Sequence, residues 1–204
     1  MDGPGIDPVH EEVVTMPMNV PAVSDERQAL LAFLAQQRTA VRNAAYGLTE
    51  DQARLTTTGS SLSIGGLVKH VADAEKGWTD RVLGCDETDA GDYQAYLASF
   101  HLGPDERLAG VLDRYETTAA RTDTVMADVA DLGRAVPLPS GVPWFPEGAT
   151  VRWVLLHLVE ETARHAGHAD IIRESLDGAQ AGSLMAAAEN WEPSPWVTPW
   201  TPAS

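Results

Sequence analysis

Residues 151–178 read VRWVLLHLVEETARHAGHADIIRESLDG, and how they fold decides what the rest of the chain must be. Thr150 is suited to cap a helix start and Gly178 to end one, so the run predicts one long helix. Half of the six histidines lie in it, at His157, His165 and His168, beside the adjacent Glu160 and Glu161. Residues four apart on an α-helix face the same way, so His157, Glu161 and His165 stack along one side with His168 in the same arc. Leu155, Leu158 and Thr162 flank that arc, and Arg152, Glu160, Arg164 and Arg173 mark its polar edges. An imidazole and a carboxylate one turn apart can share an ion. Both His157 with Glu161 and Glu161 with His165 have that spacing, and spacing does not choose between them. The plain alternative is a solvated stripe of Glu, Arg and His.

Two donors on one helix do not complete a site, because a catalytic zinc takes three protein ligands and an open position. His10 falls in an N-terminal arm and His101 in a connecting segment. His70 lies midway along a second predicted helix, within SLSIGGLVKHVADAEKGWTDRVLG (61–84), opened by Ser63 and closed by Gly84. Ile64, Leu67, Val68, Val71, Trp78 and Val82 give that helix its apolar spacing, while Gly66, Ala74 and Gly77 leave room around the histidine.

Working outward, residues 1–23 contain four prolines and two glycines and read as an arm. Ser24 is placed to cap a helix over 25–48 with Gly47 as its stop, and LTEDQARL adds a short helical turn. Residues 84–103 are acidic and irregular, with a short helix at YQAYLASF. Pro104 suits the first position of a long amphipathic helix reaching to about residue 129. Residues 131–149, with four prolines and three glycines, form a long connection, and the tail from 179 is rich in Trp and Pro. No period-two segment and no internal repeat stands out. The expectation is an all-α fold, four long helices in a bundle with crossovers at 84–103 and 131–149.

The chain has 204 residues, 44% of them hydrophobic, enough for a real core. A net charge of −16 argues against nucleic acid and against anionic membrane as partners. Lys69 and Lys76 are the only lysines, and the arginine bias with abundant Ala and Gly suggests a GC-rich bacterial genome. The single cysteine, Cys85, excludes an intrachain disulfide and favours the cytoplasm. Its setting, LGCDET, is acidic rather than activating. The N-terminus lacks the apolar stretch of a secretory leader, and no apolar run approaches the ~18 residues a membrane span needs.

SLSIGGLVKHVADAEKGW, followed about ninety residues later by TVRWVLLHLVEETARHAGHADIIRESLDG, resembles the DinB/YfiT-like superfamily. Within it, the nearest likeness is to the mycothiol-dependent maleylpyruvate isomerase N-terminal domain and related thiol S-transferases. The resemblance covers roughly residues 24–178. It implies an up-up-down-down four-helix bundle with long crossover loops, holding one divalent metal on a histidine of the second long helix and an i, i+4 pair of the fourth. Many members carry His-x-x-x-His as that pair, and the isomerase branch carries Glu-x-x-x-His, the pattern present here. The ligands so implied are His70, Glu161 and His165. His168 has no place in this triad and is a candidate acid–base, substrate-binding or supporting residue. His157 is a supporting residue or fills core space.

Histidine and carboxylate suit zinc, nickel, iron and manganese alike, and zinc is the ion expected first. The activity implied is activation of a low-molecular-weight thiol, mycothiol or similar, for transfer to an electrophilic small molecule, by a cytoplasmic homodimer. A metal-dependent hydrolase and a non-catalytic metal-binding stress protein are the other classes this donor set serves. The chain lacks room for the second domain that the isomerase carries, so maleylpyruvate isomerisation itself is not expected. The division expected is an arm (1–23), a metal-binding bundle (24–178) and a tail (179–204) packed on it. Trp191, Trp196 and Trp200 of that tail either close the site or cover the bundle, and Trp144 and Phe145 are candidates for the pocket mouth.

Overall fold

Helices start where something takes up the N–H groups that a first turn leaves without partners. The computed structural model describes residues 19–85, 92–139, 142 and 145–202. Seven helices form among them: α1 (Glu26–Ala44), α2 (Glu50–Arg54), α3 (Ile64–Leu83), α4 (Tyr93–Ser99), α5 (Leu108–Asp128), α6 (Val151–Asp177) and α7 (Ala181–Ala188). The described residues contain no strand beyond an isolated bridge between Ala135 and Thr150, so the chain is all-α. No described helix is long and apolar enough to cross a membrane.

Ser63 and Thr150 cap α3 and α6 as the sequence suggests, accepting the N–H groups of Gly66 and Trp153. Two starts differ from expectation. Asp25, not Ser24, caps α1, its carboxylate accepting the Gln28 N–H at 2.8 Å. α5 begins at Leu108 instead of Pro104. The Glu106 carboxylate is drawn to Lys69 Nζ (2.6 Å) and the Gly103 N–H (2.7 Å), which holds 103–106 in a turn. The Leu108 N–H is then met from outside by Glu50 Oε2 of α2, at 2.9 Å. The tail is also more regular than its composition suggests, since α7 falls within it.

Apolar residues gather in two clusters. The first joins Val41 and Ala44 of α1, Leu67 and Val71 of α3, Val111 and Tyr115 of α5, and Ala169 and Ile172 of α6. The second joins Leu34 of α1, Trp78 and Val82 of α3, Met126 of α5, and Val154, Leu155 and Leu158 of α6. Between them each long helix contributes buried polar side chains: Arg38, Glu75 and Thr79, Thr118 and Thr122, Thr162 and His165. Arg38 donates two hydrogen bonds to Glu75 (3.1 and 2.7 Å) and one to Asp123 (2.8 Å). The Thr79 and Thr122 hydroxyls meet at 2.8 Å.

The clusters also give the helix directions. α1 and α6 run from the second cluster to the first, and α3 and α5 run the other way. Chain order is therefore up, down, down, up, which corrects the up-up-down-down order. The cause lies in the connections. The short link through α2 returns the chain at the end where α1 finished, so α3 must run back. Parallel α3 and α5 then need a connection along the length of the molecule, and the segment holding α4 is that one crossover. Residues 131–149 are no crossover: they join antiparallel neighbours at one end, tied by the Val136 N–H to Ala149 O at 2.9 Å.

α1 packs mainly on α6 and α3 on α5, with a further contact of α3 on α6. α3 opens with Gly65 and Gly66. A Cβ on Gly66 would collide with the Phe100 carbonyl oxygen, and one on Gly65 would press on Leu102 and on Ala53 O. Their absence lets the end of the crossover lie flush on α3. At the first-cluster end, Trp200 crosses Gly47 and covers the buried Arg173 guanidinium at 4.7 Å.

Candidate metal centre

His70 projects from the middle of α3 and is buried. Its ring stacks on Phe100, with centroids 3.7 Å apart and planes 17° from parallel, and lies edge-on to Tyr96 at 5.7 Å. Nδ1 is 2.8 Å from Ser99 Oγ, and the Ser99 hydroxyl donates to the Tyr96 carbonyl at 2.6 Å. Nε2 points the other way, 3.2 Å from Glu161 Oε1. The same oxygen stands 3.2 Å from Nε2 of the buried His165. One ligand atom from each of the three residues falls within 4.8 Å of the others. α6 supplies two of them through its i, i+4 register, and the contact of α3 with α6 supplies the third.

These spacings fit an ion. Four ligands in a tetrahedron 2.0–2.1 Å from zinc lie about 3.3 Å from one another, close to the two 3.2 Å separations here. Two imidazole nitrogens and one carboxylate oxygen are a donor set for zinc, nickel, iron or manganese. The Glu161 carboxyl is held far below the usual carboxylate range by its contacts with His165 and His70, against the opposing effect of burial. It therefore carries its charge throughout the neutral range, as a partner for a cation must.

The other histidines lie elsewhere. His168 is exposed, with Nδ1 3.4 Å from His165 Nδ1, so it touches the side of His165 remote from Glu161. His157 stacks on Trp153 (5.0 Å, 13°) and meets Trp78 edge-on at 4.9 Å, with Nδ1 3.6 Å from Glu160. Of the two pairs that the helix spacing left open, Glu161 thus meets His165. His157 instead joins an aromatic group that also includes Phe145, 5.7 Å from Trp78. His101 is exposed and meets Lys69 only through its backbone carbonyl. His10 and Trp144 lie outside the described residues. Glu160 and Arg164 form an exposed surface pair at 2.7 Å. Cys85 is exposed, its thiol donating to Asp80 at 3.8 Å. Asp80 stands ten residues beyond His70 on α3, about 15 Å along a helix.

Sequence reasoning assigned no role to Tyr96, Ser99 and Phe100, which surround His70. Tyr93, Tyr96 and Phe100 do form an i, i+3, i+7 aromatic stripe in an acidic segment, which was a usable signal for a docked face. No local pattern tied that stripe to His70.

Residues 29–178 match the family model described as Mycothiol-S-transferase. No curated protein matches the chain. Among solved structures, the "Crystal structure of the conserved protein of locus from Enterococcus faecalis" superposes with a TM-score of 0.62 at 12% identity. The match covers 77% of this chain and 100% of that one. At that identity the likeness speaks for the fold alone.

Proposed function

That the chain belongs to the mycothiol-S-transferase family is the premise from which we propose a metal-dependent enzyme that transfers a low-molecular-weight thiol to an electrophilic small molecule. Mycothiol or a close relative is the thiol. The observation that carries this reading is the convergence of His70 Nε2, His165 Nε2 and Glu161 Oε1. These three side chains would hold the ion, zinc by preference. A divalent ion there supplies a Lewis acid that favours a thiolate over its thiol near neutral pH. Glu161 contributes the negative charge that offsets the cation, and the buried rings of His70 and His165 keep water from two sides of it. The reacting sulfur belongs to the small thiol, because Cys85 is exposed and lies just beyond the far end of α3 from His70. His168, exposed and against the outer nitrogen of His165, is our candidate proton carrier at the rim and also steadies that ring.

We read α1, α3, α5 and α6 as a four-helix bundle forming the metal-binding domain over 24–178, with 1–23 as an arm and 179–204 as a tail. A cytoplasmic homodimer is the setting the family resemblance implies.

Two measurements test the reading. Elemental analysis should find a divalent metal in the purified protein and little in His70→Ala; a wild-type protein that neither contains nor takes up metal sinks it. Consumption of a cellular thiol with monochlorobimane should be lost in His165→Ala. Turnover without added thiol would favour hydrolysis instead. A protein that binds metal but turns over neither way is a non-catalytic metal-binding protein.

A further inference from the structure

We propose that Ser99, the last residue of α4, is a positioning residue of the metal centre, whose hydroxyl oxygen accepts the Nδ1–H of His70 and so presents Nε2 to the ion. The inference rests on reading the triad as a metal site, but its own argument lies outside the triad. A serine hydroxyl has one proton, and the 2.6 Å bond to the Tyr96 carbonyl uses it. Toward His70 Nδ1, at 2.8 Å, the same oxygen can then only accept. The Nδ1 proton is thereby fixed, and Nε2, facing Glu161, is the nitrogen left for a cation.

The aromatic contacts cannot do this alone. The stack on Phe100 sets the ring plane but is indifferent to a 180° flip that exchanges nitrogen and carbon positions. Polar partners on the ring edges tell the two orientations apart: Glu161 on the inner edge at 3.2 Å and Ser99 on the outer edge at 2.8 Å, and of the two only Ser99 fixes the proton on Nδ1. No residue of α4 is buried, so apolar burial of the helix does not account for its position. What brings Ser99 into reach is the close seating of Phe100 and Leu102 on Gly66 and Gly65. Outer partners of this kind orient metal-binding histidines in general.

The test compares Ser99→Ala and Ser99→Thr with wild type in the full chain. Ser99 is not buried and alanine favours helix, so the alanine variant folds. Zinc affinity, measured by competition with a chromogenic chelator, should fall about 10- to 100-fold in Ser99→Ala and stay within about threefold of wild type in Ser99→Thr, which keeps the oxygen. In zinc-loaded protein labelled with ¹⁵N-histidine, the His70 Nδ1–H signal should persist in wild type and Ser99→Thr and be lost to solvent exchange in Ser99→Ala. Unchanged zinc affinity in Ser99→Ala, or a threonine variant as weak as the alanine one, overturns the role of Ser99 and leaves the triad standing. A wild-type protein that binds no zinc overturns the triad and this inference with it.

Discussion

Gly66 and Gly77 look alike in the sequence, small residues on either side of His70 along one helix, and the structure gives them opposite meanings. The space over Gly66 is filled by the Phe100 carbonyl, from a segment more than thirty residues downstream. Over Gly77 a Cβ would meet only the end of the Arg81 side chain, at 3.2 Å. Gly66→Ala should therefore force the crossover off α3 and destabilise by about 1–3 kcal/mol, lowering the thermal midpoint by roughly 2–12 °C. Gly77→Ala should be neutral or gain up to about 1 kcal/mol of helix propensity. Equal midpoints for the two variants would contradict the seating of the crossover. The histidines teach the same lesson at this scale. Helix spacing limited the paired donor to His157 or His165 but could not choose, because the aromatic neighbour Trp78 that occupies His157 comes from another helix.

At the scale of elements, capping chemistry was legible where the cap is local and misleading where it is not. Ser63 and Thr150 announced α3 and α6 because each bonds three residues ahead. The start of α5 could not be read, since its cap comes from Glu50, 58 residues away. Glu106, which holds the turn before α5, makes a prediction in acid. Burial works to raise its pKa, but hydrogen bonds from Lys69, the Gly103 N–H and Arg114 bring it down to about 2 from an ordinary 4.5. The folded value is the lower one, so the stability it contributes is fully present above pH 4.5 and is lost as the pH falls toward 2. In urea unfolding, Glu106→Gln should be less stable than wild type by about 1 kcal/mol at neutral pH, because solvent screens the partly exposed carboxylate and its partners. That gap should close between pH 4.5 and 2. A gap independent of pH would rule out the carboxylate as its source.

At the scale of the whole molecule, helical periodicity revealed all four long helices but not their directions or their polar middle. The sequence does not single out Arg38 and Glu75, because a single helix does not show which of its charges a neighbour will cover. In the fold both are buried and bonded to each other. Glu75→Leu alone should cost about 3 kcal/mol by taking from Arg38 its buried carboxylate and leaving it only the half-exposed Asp123. The double substitution Arg38→Leu with Glu75→Leu should recover most of that loss in thermal unfolding of the metal-free protein. An additive double variant would mean the pair is not coupled. The directions were misjudged because they depend on which end each connection returns to, and only the crossover through α4 spans the length. That crossover has a consequence in time. His70 and the residues that grip it are all made by residue 100, while Glu161 and His165 follow about sixty residues later. A growing chain therefore carries one of the three donors, without the other two, throughout the synthesis of α5. The three donors can meet only when the last long helix folds back across the first three. On the proposed function, metal capture would thus be a closing event in the protein's maturation, and a chain interrupted before α6 is left with a single donor of the triad.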